Sequence, residues 1–281
     1  MSLTHPFLRS AAAALACVAI AGCAGVNTTQ SGAIGVNRTQ YMSSLVPSET
    51  LNQEASQQYA DIIGQARAKG LLDRDAKQTS RVRAISKRLI AQAPVFRPDA
   101  SGWKWEVHVL SSDEVNAWCM PGGKIAVYTG LLTKIKPSDD ELAAVLGHEI
   151  SHALREHARE RVSQQMATSL GLQVLSIATG SQLASDLGGQ LTSVMFTLPN
   201  SRTHETEADR MGVELAARAG FDPRAAVSLW QKMGAAEQGS APPEILSTHP
   251  SAQSRIADLQ AASQQVLPLY EQSRKGKAAA R

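Results

Sequence analysis

The stretch His148–Glu149–Ile150–Ser151–His152 (HEISH) decides how the rest of the chain is read. Its surroundings are patterned as a helix, with Leu142, Val145, Leu146, Ile150 and Leu154 recurring at spacings of three and four. Ser138 and Glu141 form a capping box behind Pro137, so the helix is expected from Asp139 to Gln165. Four residues turn a helix by about 400°, and both imidazoles therefore leave from nearly one face. Each offers a neutral nitrogen to one zinc ion. Glu149 can take the proton of a water held at the open metal position. His157, five residues past His152, falls off that face and reads as a surface histidine.

A catalytic zinc site needs a third protein ligand. A second helix, expected from Ser201 to Gly220, offers Glu205–Thr206–Glu207–Ala208–Asp209. Glu205 and Asp209 share a face, so Glu205 can bind the metal while Asp209 accepts a proton from a ligand histidine. Glu207 points elsewhere. Spacing alone leaves His204 open as the ligand, and a solvated charged face is the plain alternative for the whole segment.

Upstream of these helices, Trp103–Leu110 and Lys124–Thr129 alternate like strands, and Pro121–Gly122–Gly123 forces a turn between them. Residues Lys124, Ile125, Ala126, Val127 and Tyr128 are expected to form an edge near the cleft, where an extended peptide would pair with their backbone. Residues 50–70 and 75–92 read as helices, as does 251–265 near the end. The uncharged stretch 162–185 is expected as a buried hairpin, a lid or a surface-touching segment. Its Gly, Ser, Thr and Gln suit hydrocarbon poorly.

The N-terminus has a different character. Arg9 precedes a short apolar run, Ala11–Ala21, that ends in Gly22–Cys23. A positive start, a short apolar core and a small-residue end describe a secretory signal. Ile20–Ala21–Gly22–Cys23 resembles the bacterial lipoprotein cleavage box, which implies lipid on Cys23 and, with Ala24 following, outer-membrane sorting. The expected organisation is a signal at 1–22, a flexible Gly/Asn/Thr/Ser tether at 23–48, one domain at 49–270 and a basic tail at 271–281.

Composition sets the outer limits. The chain has 281 residues, 43% hydrophobic and 19% charged, an ordinary globular mixture. A net charge of +3 is too small to call for a nucleic-acid partner. Three cysteines exclude a disulfide-dense scaffold. After loss of the signal only Cys119 remains beside the lipidated Cys23, and it reads as a buried thiol.

Three segments together resemble the zinc metallopeptidase family of the HtpX membrane protease, the CAAX prenyl proteases and soluble periplasmic BepA-like proteins. They are HEISH at 148–152, SRTHETEADRMG at 201–212 and VNAWCMPGGKIAVYTGLL at 115–132. The resemblance implies an α+β, mostly helical, gluzincin-like zincin with a small β-sheet beside the HEISH helix. It implies one zinc per chain on His148, His152 and Glu205, with Asp209 in support. It also gives His249, in Ser247–Thr248–His249–Pro250, a place near the zinc as a plug or a transition-state aid, and gives Arg255 a place beside Glu205. Trp118 stands where the family pattern has Phe. The chain lacks the membrane spans of the HtpX and CAAX branches and the repeat domain of BepA, and resembles a minimal single-domain member.

The implied function is a zinc-dependent endopeptidase in the bacterial periplasm, acting on misfolded or mislocalised envelope proteins with Glu149 as general base. The alternative is an outer-membrane assembly factor or chaperone whose latent protease is plugged by His249.

Overall fold

Ser138 starts the HEISH helix by the reciprocal bonds of a capping box. Its backbone N–H donates to Glu141 Oε2 at 2.8 Å, and the Glu141 N–H donates to Ser138 Oγ at 3.2 Å. The computed structural model describes residues 23–179, 187–237, 243–250 and 253–279. Residues 1–22, where a signal is expected, and the last residues of the chain lie outside the described residues, as does part of the 162–185 segment.

In chain order come β1 (Cys23–Val26), β2 (Gln40–Ser43), α1 (Ser48–Ala68), α2 (Ala76–Ile90), β3 (Glu106–Leu110), β4 (Ala117–Met120) and β5 (Lys124–Tyr128). Then follow α3 (Asp139–Leu154), α4 (His157–Thr179), α5 (Leu187–Phe196), α6 (Arg202–Arg218), α7 (Ala225–Glu237), α8 (Ile245–Thr248) and α9 (Gln253–Ala279). The fold is predominantly helical with two small sheets. β1 and β2 form an antiparallel pair, and the second sheet runs β3–β5–β4. β5 is parallel to β3 and antiparallel to β4. Gly122 and Gly123 turn the chain between β4 and β5 at φ 76° and 84°, a region that side chains rarely tolerate.

Helix α3 is the axis of the core. Every residue from Glu141 to Leu154 is buried, because α2, α6, α7 and β4 all pack against it. Helix α6 lies closest. A Cβ on Gly147 would come 2.8 Å from Gly212 O, and one on Gly212 would come 2.7 Å from His148 N. Two glycines thus let the backbones of α3 and α6 touch at the point where His148 begins the motif.

Four expectations are corrected. The helix expected to run unbroken to Gln165 ends at Leu154, and Glu156 turns the chain at φ 52° before α4. Arg155 and Glu156 are drawn inward by ion pairs, Arg155 to Glu207 and Glu156 to Arg97. Residues 23–48 are packed and not a flexible tether. Ala33 and Ile34 donate backbone N–H groups to Glu214 at 2.9 Å each, Gln40 Nε2 donates to Arg155 O, and Ile34 and Val36 join the core. The last helix, expected over 251–265, runs on through Ala279 as α9. Finally β5, expected at an edge, is central. Its backbone is taken by β3 and β4, so Lys124–Tyr128 cannot accept a further strand, and the edges are β3 and, on the cleft side, β4.

No helix among the described residues is long and apolar enough to cross a membrane. Within α4 the side chains are described only as far as Thr168, so the expectation for 162–185 goes largely unaddressed.

Candidate metal centre

Helix α3 supplies His148, Glu149 and His152, α6 supplies Glu205 and Asp209, and the turn after α8 supplies His249. Ser201 caps α6 by accepting the His204 N–H, which sets the start of that helix and the face it presents. One donor atom each from His148, His152, Glu205 and His249 falls within a 4.8 Å cluster, and all four residues are buried.

The cluster has the dimensions of a coordination shell. His148 Nε2 lies 3.1 Å from His152 Nε2 and 3.2 Å from His249 Nδ1. Glu205 Oε1 lies 3.0 Å from His249 Nδ1 and 3.4 Å from His152 Nε2. Zinc–nitrogen bonds of about 2.0–2.1 Å in a tetrahedron put neighbouring donors about 3.3 Å apart. Imidazole nitrogens converge in this way when a cation is to share their lone pairs. Two atoms strengthen the fit. Glu149 Oε1 is buried without a hydrogen-bond partner, and Glu205 Oε2 has no well-aligned hydrogen bond, although Arg255 Nη1 is 2.8 Å away. Three imidazoles and a carboxylate are a zinc donor set.

The local field favours positive charge. Burial opposes a proton on His148, but Glu205 and Asp209 outweigh it and lift the imidazole to about 10. Burial foremost, with His148 and His157 beside it, pushes His152 well below its usual range against the pull of Glu205. Burial would raise Glu205, yet the histidines around it, His249 and His148 foremost, hold its carboxyl well down. Glu149 goes the other way, raised chiefly by burial. That is the direction a carboxylate needs if it is to hold a proton it has accepted.

Asp209 lies 2.9 Å from His148 Nδ1 and takes Arg255 on both oxygens, at 2.7 and 2.8 Å. Burial works to raise Asp209, and Arg255 more than compensates, so its carboxyl is lowered. Arg255 also reaches Glu205 and rests on the ring of Trp230, 3.8 Å from its centroid. It therefore touches both Glu205 and Asp209 of α6 and pairs structurally at the same time.

Of the residues weighed for the site, His148, Glu149, His152, Glu205, Asp209, His249 and Arg255 come together. His204 turns away to Glu160 at 3.1 Å, and Glu207 turns to Arg155 and Arg38. Lys124–Tyr128 are not a docking edge. The cleft is lined instead by Asn116, Ala117, Trp118 and Cys119 of the β4 segment, facing Glu149 and His249. Trp118 meets Phe196 edge-on at 5.5 Å, and Cys119 is a buried thiol pushed well up by burial.

His157 corrects a further expectation. It is 1% exposed and not a surface residue. The turn at Glu156 carries it back under the motif, where its Nδ1 lies 2.8 Å from His152 Nδ1 and its Nε2 lies 3.0 Å from Glu207 Oε2. Asn200 was also missed. Its backbone N–H donates to Thr248 O, its Nδ2 faces His249 Nδ1 at 3.3 Å, and its Oδ1 accepts from Arg161. Helical spacing gave no signal for either residue, because both reach the site through breaks between helices.

The family model described as Peptidase family M48 matches residues 76–263. Among curated proteins, the mitochondrial metalloendopeptidase OMA1 of Arabidopsis thaliana is 36% identical over 194 residues, 68% of this chain and 39% of its own length. Its namesake in Schizosaccharomyces pombe is 39% identical over 184 residues, 64% of this chain and 51% of its own length. The Beta-barrel assembly-enhancing protease of Escherichia coli is 31% identical over 224 residues, 75% of this chain and 44% of its own length. The chain thus spans about half or less of the length of these relatives.

Proposed function

The chain belongs to peptidase family M48, and from that premise we propose that it is a zinc-dependent endopeptidase cutting misfolded or mislocalised cell-envelope proteins. The observation that carries the reading is the convergence of His148, His152 and Glu205 with an unpartnered Glu149 oxygen beside them. Zinc held by these residues would acidify a bound water and polarise a peptide carbonyl. Glu149 accepts the water proton and, with its carboxyl raised by burial, passes it to the leaving amine. Asp209 takes the Nδ1–H of His148 and keeps Nε2 free for the metal. The outer edge of β4 pairs with an extended peptide, aligning a scissile bond with little demand on sequence.

The cellular setting comes from the N-terminal sequence. With lipid on Cys23, the domain would face the periplasm from the outer membrane, where unfolded envelope polypeptides are at hand.

A second reading, an assembly factor with latent proteolysis, is favoured by one observation. His249 Nδ1 sits inside the donor cluster, 3.2 Å from His148 Nε2, where a fourth ligand would close the metal to water. Removing this imidazole as His249→Ala separates the readings. Faster cleavage identifies a plug, and lost cleavage identifies assistance to the transition state.

The test of the main reading is digestion of casein by the mature chain with and without a chelator, beside the Glu149→Gln variant. Chelator-sensitive cleavage that Glu149→Gln lacks is the expected result. Cleavage that survives chelation would remove zinc from the account.

A further inference from the structure

We propose that His157 is a positioning residue of the metal centre, which accepts the Nδ1–H of His152 and so holds His152 in the tautomer that turns Nε2 to the metal. The inference rests on the reading of His152 as a ligand. It starts from a difference between the two ligand histidines of α3. His148 has a carboxylate on its Nδ1, Asp209 at 2.9 Å. His152 has none, and at the same place it meets the Nδ1 of a second imidazole, His157, at 2.8 Å.

Two facing Nδ1 atoms at that distance share one proton. If it is on His152, the His152 Nε2 lone pair is free for the metal. His157 then carries its own proton on Nε2, which points at Glu207 Oε2, 3.0 Å away. Every N–H in the row then has an acceptor. The reverse assignment puts the His157 Nε2 lone pair against a carboxylate and a proton on the His152 atom that faces His148 and Glu205. Glu207 therefore selects the tautomers of both rings.

Glu207 is well held for that work. Its Oε2 takes Arg155, which is fully buried, at 3.1 Å, and its Oε1 takes Arg38 at 2.7 Å. The ring of His157 stacks on His204 with centroids 4.4 Å apart, which leaves it little room to flip. The row from His152 through His157 to Glu207 is a carboxylate–histidine–metal arrangement lengthened by one imidazole.

Zinc affinity of the full chain, measured by competition with a chromophoric chelator, tests the assignment, with melting of the metal-free chain as the check on folding. His157→Phe keeps a ring but offers no acceptor, and zinc binding should weaken about 10–100-fold. His157→Asn sets its Oδ1 close to the former Nδ1 and should recover most of the loss. His157→Gln, which mimics Nε2, should not. Unchanged affinity in His157→Phe, or equal affinity in the Asn and Gln variants, overturns the proposal. Should the variants fail to fold, the imidazole nitrogen NMR spectrum of the zinc-loaded wild type decides. A neutral His157 protonated at Nε2 supports the proposal, and a proton on Nδ1 or on both nitrogens overturns it. A wild-type chain that takes up no zinc overturns the metal reading and this inference together, whereas wild-type uptake with an indifferent His157→Phe overturns the inference alone.

Discussion

Gly147 and Gly212 face each other across α3 and α6, and a methyl on either would strike the opposite backbone within 2.8 Å. This contact fixes the spacing between the helix that bears His148 and the helix that bears Glu205 and Asp209. Added bulk here cannot be absorbed by a side-chain rotation, because the atoms met are backbone. Gly212→Ala should therefore cost about 1–3 kcal/mol of stability, as overpacking does in a tight core. It should also weaken zinc binding, since His148 and Asp209 are pushed apart. Chemical denaturation and a zinc titration of the same variant check both effects. A Gly212→Ala chain as stable as wild type would mean that the helices are free to part.

Glu149 Oε1 takes no hydrogen bond, with His249 Nε2 3.6 Å away, and Glu149 supplies no atom to the cluster of His148, His152, Glu205 and His249. It is therefore not built into the shell of the metal. Glu149→Gln should leave zinc content unchanged and lower the turnover of casein by about 10²–10⁴-fold, the span of general-base effects. Metal analysis and the protease assay are run on one preparation. Loss of zinc along with activity would make Glu149 a structural member of the site.

Asp209 is shared between His148 and Arg255, and all three are buried. Asp209→Ala leaves a guanidinium without its best partner, a change that costs about 3–5 kcal/mol when a buried ion pair is broken. It also frees the His148 ring, so zinc affinity should fall about 10–100-fold. Replacing both partners as Asp209→Ala with Arg255→Met should recover stability without recovering the affinity. A double variant that recovers both would show that Asp209 acts on Arg255 alone.

Acid should loosen the N-terminal segment. Burial works to raise Glu156 and Glu160, but Arg97 with Arg159 and Ser48 outweighs it at Glu156, and Arg38 with His204 and Gln40 outweighs it at Glu160. Both carboxyls are held below the ordinary 4.5. A depressed folded value adds stability that is complete above the unfolded value and is lost as pH falls below it. Stability should therefore drop as the pH goes below about 4.5, and Arg38→Ala should shrink the drop, because it removes the ion pair that ties residues 23–48 to α4. Melting temperatures across that range check this. A flat profile would show that these carboxylates are not what pins the segment.

How much of this was legible in the sequence depends on the reach of each signal. The Ser138–Glu141 box gave the start of α3 at Asp139, while helical spacing overran its end, which falls at Leu154 and not at Gln165. The four-residue step between Glu205 and Asp209 gave the face of α6 that meets it. Local pattern ends where tertiary pairing begins. Arg155 and Glu156 look like ordinary surface charges, yet they turn inward to Glu207 and Arg97, and that turn brings His157 under the site. The Gly, Asn, Thr and Ser of 23–48 suggested a tether because their composition is that of a linker. Their order comes from partners far along the chain, Glu214 above all. Strand order was equally hidden, since alternation in Lys124–Tyr128 marks a strand without saying which neighbours flank it.

The central claim is that His148, His152 and Glu205 converge on one metal ion. Titrating zinc into metal-free protein, for the wild type and for His152→Ala and Glu205→Ala, tests it most directly. One equivalent taken up tightly by the wild type, with binding lost or greatly weakened in both variants, is the predicted result. No uptake by the wild type, or uptake indifferent to both substitutions, would contradict the claim.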